Sequence, residues 1–97
     1  MKIEFRSTAD VKPYPGNPSV DDDIVSVVAW SIREIGFCNP ILVDEKDEVI
    51  SGHIRLAAAL SLGMAEVPVV VCDSLSADQV RTLRFADSQG SLIPARP

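Results

Sequence analysis

The residues with the most chemical content are consecutive: Ser51-Gly52-His53-Ile54-Arg55. A β-branched run, Val49-Ile50, ends just before them, and the helix-favouring run Leu56-Ala57-Ala58-Ala59-Leu60 begins just after. A strand that enters a helix through glycine leaves the first helical N–H groups unpaired, aimed beyond the strand's end. Gly52 lets the backbone approach a ligand closely and can adopt positive φ. The backbone N–H groups of about His53, Ile54 and Arg55 are then free donors. Arg55 can grip phosphate oxygens with its planar fork. His53, the only histidine of the chain, can donate a hydrogen bond or exchange a proton near neutral pH. The pattern is that of an anion site suited to a nucleotide phosphate. The plain alternative is a tight turn, with His53 solvated and Arg55 paired to one of the many acids. One glycine falls short of a Walker loop, which needs a longer glycine-rich stretch and a lysine.

Other groups are less telling. Pro13-Tyr14-Pro15-Gly16-Asn17-Pro18 cannot form regular structure, because each proline restricts itself and its predecessor. It is a rigid loop that either walls a ligand or simply connects. Asp21-Asp22-Asp23 places carboxylates where a helix dipole favours them. That role outweighs a magnesium site, so no residue is assigned to a metal. Trp30 is expected at the core or its rim. Cys38 and Cys72 are isolated and flanked by apolar residues, so both are expected as buried free thiols rather than zinc ligands. One histidine supports no Ser-His-Asp triad.

The elements that must position these residues follow from periodicity. Lys2–Phe5 alternates as a strand. A helix opens at Asp21–Asp23, shows Ile24, Val28, Ile32 and Ile35 on one face, and ends at Gly36. Pro40–Val43 and Glu48–Ile50 are strands about a turn at 44–47. A helix runs from about Gly52 to Leu62, with Gly63 just past its end. Val67–Val71 is a strand whose Pro68 suggests an edge or a strand start. Ser76 and Gln79 form a capping box for a last helix carrying Val80, Leu83 and Phe85. Beyond Asp87 the sequence suits a flexible tail. This order predicts a single α/β (α+β) domain over 1–88, a small mixed sheet with about three helices, and a tail over 89–97.

Composition bounds the rest. Ninety-seven residues give one core, and roughly 60–65% of the unfolded surface is buried on folding. The net charge of −5, with nine scattered basic residues, argues against gripping nucleic acid by charge alone. The start lacks the apolar core of a signal peptide, and no run reaches transmembrane length. The cytoplasm is the expected compartment, with no membrane contact.

Taken in order, five segments resemble the ParB N-terminal domain of the ParB/sulfiredoxin superfamily. They are Pro13–Pro18, Ser31–Phe37, Asn39–Asp44, Ile50–Ala58 and Leu62–Val69. The resemblance spans about residues 8 to 88. The Gly-His-x-Arg variant, with Ala86-Asp87-Ser88 near the end, is most similar to ParB-type domains of phages and mobile elements. In that group the domain is often joined to a DNA methyltransferase or another DNA-acting module.

The resemblance implies the compact ParB/sulfiredoxin fold and a nucleoside triphosphate ligand, CTP or ATP, with magnesium. It implies phosphate contacts at Ser51, Gly52, His53, Ile54 and Arg55, with Asn17, Pro18 and Ser19 lying across the nucleotide. Three departures stand out. Partition proteins carry Gly-Glu-Arg-Arg where this chain has Gly52-His53-Ile54-Arg55. Sulfiredoxin has its catalytic cysteine where this chain has His53. An arginine usual after the Asn-Pro pair is Ser19 here. The partition proteins' helix-turn-helix segment has no counterpart among these residues, so DNA contact is expected through another module or partner protein. The setting implied is a nucleoid- or plasmid-associated system of partition, transcription regulation or DNA modification, and a homodimer is compatible with it. Two further readings stay open. One is a small enzyme (nuclease, NTPase or kinase) with His53 as general base. The other is a degenerate protein-interaction module.

Overall fold

The computed structural model describes residues 2–15, 21–37 and 39–90, the last three by backbone alone. Strand β1 (Ile3–Ser7) leads through a 3₁₀ turn at Thr8–Asp10 to helix α1 (Asp22–Ile35). Strands β2 (Ile41–Val43) and β3 (Val49–Ser51) form a hairpin and feed helix α2 (His53–Ser61). Strand β4 (Glu66–Val71) and helix α3 (Ala77–Gly90) complete the chain. The sheet is mixed, in the order β1-β4-β2-β3, with β2 and β4 parallel and the other two pairs antiparallel.

The β-branched strands alternate between two buried layers, as period-two side chains must. Ile41, Val43, Val49, Val67 and Val69 face α2, where Leu56 and Ala59 meet them. Ile50, Val70 and Cys72 face the other way and are covered by Leu75, just ahead of α3, and by Val80 and Leu83 within it. Helix α1 does not touch this core directly. It packs on α2 through Val25 and Ala29 against Ala58. The two helical layers therefore meet past the end of β3, where α2 begins.

Local signals place the helix ends. The Asp21 side chain accepts hydrogen bonds from the N–H groups of Asp23 and Ile24 and caps α1. Gly36 ends it at φ 113°. Ser76 and Gln79 exchange side-chain and backbone hydrogen bonds ahead of α3. Past α2, Gly63 N–H donates to Leu60 O and Met64 N–H to Ala59 O, the paired bonds of a Schellman turn.

Two expectations are corrected and one is decided between its alternatives. The buried side of α1 is turned from the expected face: Val25 and Ala29 are buried, whereas Ile35 is 68% exposed and Ile24 opens onto a cleft. The sheet covers only one side of the helix through α2, so larger side chains on the adjoining side are left for that cleft. β4 is an internal strand, and of the two readings of Pro68 the strand start is the one observed. Pro68 sits near its start, one residue before pairing with β2 begins at Val69, so the sheet is locally two strands wide there. α3 continues in regular helix to Gly90, past the expected domain end at Ser88; residues 91–97 lie outside the described residues. Trp30 lies on the rim, more than half exposed. Cys72 is a buried free thiol, and Cys38 lies outside the described residues. No helix among the described residues is long and apolar enough to cross a membrane.

This layering gives a direct contrast on α2. Leu56 is 2% exposed and Leu60 57% exposed. Leu56→Ala will cost about 2–5 kcal/mol in urea denaturation, and Leu60→Ala will stay within about 0.5 kcal/mol.

Candidate anion site at the turn into helix α2

Gly52 is the N-cap of α2, at φ 110° and ψ 28°. This left-handed conformation costs any other L-residue roughly 1–2 kcal/mol. A Cβ there would also press on Arg55 Nη2 at 3.2 Å and on Ile41 backbone and side-chain atoms at 3.4 Å. The turn therefore calls for glycine through its φ, and a Cβ would in addition displace the end of the Arg55 side chain by a few tenths of an ångström.

The turn is held by a carboxylate from α3. Asp87 Oδ1 accepts hydrogen bonds from Gly52 N–H (2.9 Å) and Ser51 Oγ–H (3.3 Å). Its Oδ2 lies 2.7 Å from His53 Nδ1. Burial alone would raise the Asp87 pKa; the hydrogen bonds from His53 and Gly52 outweigh it and hold the carboxyl below its ordinary value. An anion thus already sits at the start of α2, and the protein supplies it.

His53 is 6% exposed and has a partner on each ring nitrogen. The backbone N–H of Tyr14 can only donate, so His53 Nε2, 3.1 Å away, is the acceptor. Nδ1 then carries the hydrogen and donates to Asp87. The neutral imidazole is a strut between the proline-rich loop, α2 and α3. A second α3 side chain reinforces it. Arg84 Nε donates to Val49 O (3.1 Å), its Nη2 pairs with Glu48 (3.0 Å), and the guanidinium lies 4.1 Å from the centre of the Tyr14 ring.

Beside this clamp, α1 and α3 enclose a cleft of about 670 Å³, a usual size for a small-molecule site. One wall is Ile24, Val27, Val28, Ser31 and Ile32 of α1, and the other is Leu83 and Ala86 of α3. Phe37 and Asn39 stand at one end, and Ser51, Gly52, Ile54, Arg55 and Asp87 form the floor. Arg55 is the unusual member. It makes no ion pair among the described residues, and its one hydrogen bond, Nη2 to Pro40 O, is 3.5 Å long. Its buried Nε has no hydrogen-bond partner among the described residues. Burial lowers its pKa, and the charge of Asp87 opposes that shift. A buried donor without an acceptor costs about 1–3 kcal/mol.

Of the expected site residues, the structure brings Ser51, Gly52, Ile54 and Arg55 to the cleft floor. The His53 ring is turned away and does not line the cleft. Asn17, Pro18 and Ser19 lie outside the described residues. Asp87 and Arg84, which hold the turn, were not picked out by residue type. Their signal is that Val80, Leu83, Arg84 and Asp87 share one helical stripe, so two charges sit on a side that should be buried. Among the described residues no three potential metal ligands cluster, and the oxygens of the one cleft carboxylate accept hydrogen bonds from Ser51, Gly52 and His53.

Fold and site together define a small α/β domain with a strand-to-helix anion turn. Residues 6–88 match the ParB N-terminal domain family, and the chain belongs to it. It is 39% identical over 80 residues to the ParB-like nuclease domain-containing protein YnaK of Escherichia coli (strain K12), covering 81% of this chain and 92% of that protein. It spans only 29% and 33% of two curated ParB partitioning proteins. The fold superposes on the C-terminally truncated partitioning protein ParB of Caulobacter crescentus complexed with CTP-gamma-S. The TM-score is 0.80 at 20% identity, over 99% of this chain and 56% of that one. It also superposes on sulfiredoxin of Arabidopsis thaliana (TM-score 0.70, 25% identity, 86% of this chain and 97% of that one). The expected ParB/sulfiredoxin fold is the one observed.

Two measurements test the clamp. Gly52→Ala will destabilise the domain by about 1–2 kcal/mol or more in denaturant titration, because φ and space both oppose a Cβ. The folded Asp87 carboxyl titrates below the unfolded value of about 3.9. Its stabilisation is therefore in place above that pH and is lost as pH falls through the lower folded value. Wild type will be more stable than Asp87→Asn at pH 6, and the gap will close on acidification below about pH 4.

Proposed function

We propose that this domain binds a nucleotide in the cleft between α1 and α3, with Arg55 on a phosphate and apolar side chains against the base. The domain serves a DNA-associated system such as partition, transcription regulation or DNA modification. The observation that carries the reading is Arg55: a guanidinium on the floor of a ligand-sized cleft, with its Nε buried and unpartnered. A phosphate oxygen would supply the missing acceptor and a charge partner at once. The family adds support, since its relative from Caulobacter carries a CTP analogue. Of the phosphate contacts expected from the resemblance, Arg55 and the N–H groups of Ile54 and Arg55 are retained in this reading. Ser51 and Gly52 frame the floor but spend their hydrogen bonds on Asp87.

His53 is here a positioning residue and not a general base, because both ring nitrogens are engaged away from the cleft. That weighs against an enzyme using His53. The two marks of a degenerate module, a locked Arg55 and no cavity at Gly52, are the reverse of what is observed. With a net charge of −5 and scattered basic residues, DNA contact falls to another module or partner protein.

Calorimetry with CTP, ATP, ADP, GTP and AMP, with and without magnesium, tests the reading. At least one will bind, and Arg55→Ala will weaken it about tenfold or more, the equivalent of losing one charge-assisted hydrogen bond. Equal binding by Arg55→Ala, or binding of none, overturns it.

A further inference from the structure

We infer that the cleft selects ligands with a single anionic group, of the nucleoside monophosphate class, and that Asp87 is the residue that disfavours polyphosphates. This rests on the nucleotide reading above and adds the ligand's charge class to it.

The charge inventory of the cleft is short. Among the described lining residues Arg55 is the one cation and Asp87 the one anion, so that part of the floor is close to neutral. A phosphate monoester brings about −1.5 to −2 charges at neutral pH, of which one Arg fork offsets about half or a little more. Every further phosphate adds negative charge with no second cation among the described lining residues to receive it.

Asp87 makes this a fixed property. Three donors converge on its carboxylate, from Ser51, Gly52 and His53, so the side chain cannot swing aside without unpairing all three. The same bonds hold it ionised. It therefore stands as a permanent negative charge on the floor beside Arg55, and like charges brought together in a partly desolvated site repel strongly. The helical walls of the cleft are mostly apolar, with Ile24, Val28 and Ile32 on one side and Leu83 and Ala86 on the other. Such walls suit the flat body of a base better than a chain of phosphates.

The test is a calorimetric ladder of AMP, ADP and ATP, and of CMP, CDP and CTP, at constant ionic strength in EDTA so that no metal masks the phosphates. Wild-type affinity will fall from mono- to triphosphate by about tenfold or more. Asp87→Asn will narrow the ladder. Asn39→Lys, which adds a cation at an exposed rim position and leaves the clamp untouched, will strengthen the triphosphate more than the monophosphate. Tighter wild-type binding of ATP than AMP and of CTP than CMP overturns the inference and leaves the nucleotide reading standing. A ladder that neither variant alters removes the role of Asp87. No binding by any of the six ends this inference, and the nucleotide reading ends with it when GTP also fails to bind.

Discussion

The structure turns on one carboxylate. Asp87 reaches from α3 to the first turn of α2 and accepts hydrogen bonds from Ser51, Gly52 and His53. A chain passing from β3 into α2 in a left-handed turn exposes donors that need an acceptor. Were the acceptor a ligand, the turn would depend on the ligand. Because α3 provides it, the turn is formed in advance and α3 is fixed to the sheet edge. His53 extends the same clamp to the proline-rich loop through the Tyr14 N–H. Arg84, one turn earlier on α3, ties that helix to β3. A polar network thus does at the β3 edge what apolar packing does in the middle of the sheet.

The cleft follows from that fixation. α1 rests on α2, α3 rests on the other side of the sheet, and they face each other only past the end of β3. Arg55, three residues into α2, projects into the space between them. Its neighbour Asp87 is already committed, which leaves the guanidinium near a charge it does not pair with. Under-satisfied buried donors are costly and persist where something else completes them. In this domain the incomplete group is a cation in a largely apolar cleft, and the proposed ligand and its charge class are both drawn from that combination.

Much of this was legible in the sequence where the cause is local. Gly52, Gly63, Asp21 and the Ser76–Gln79 box each act within four residues, and the structure places each as a cap. The β-branched strands and the ParB-type order of segments gave the sheet and the family. What was not legible depends on partners far along the chain. His53 looks like a reactive group until Tyr14 and Asp87, 39 and 34 residues away, are brought onto its two nitrogens. The face of α1 could not be read from its own periodicity. Both Ile24-Val28-Ile32 and Val25-Ala29-Ile32 are apolar stripes, and only the position of α2 decides between them. Pro68 leaves an edge and a strand start both open for a related reason, and only the point at which β2 begins to pair, Val69, decides for the strand start.

The central claim is that the buried Arg55 Nε–H is a donor waiting for an anion. The most direct observation is its own side-chain resonance, followed by ¹⁵N NMR while AMP is added to the whole chain. The account predicts that the Arg55 Nε–H signal moves as it gains a phosphate acceptor and that its exchange with water slows. A signal that stays in place while AMP saturates the protein would contradict it.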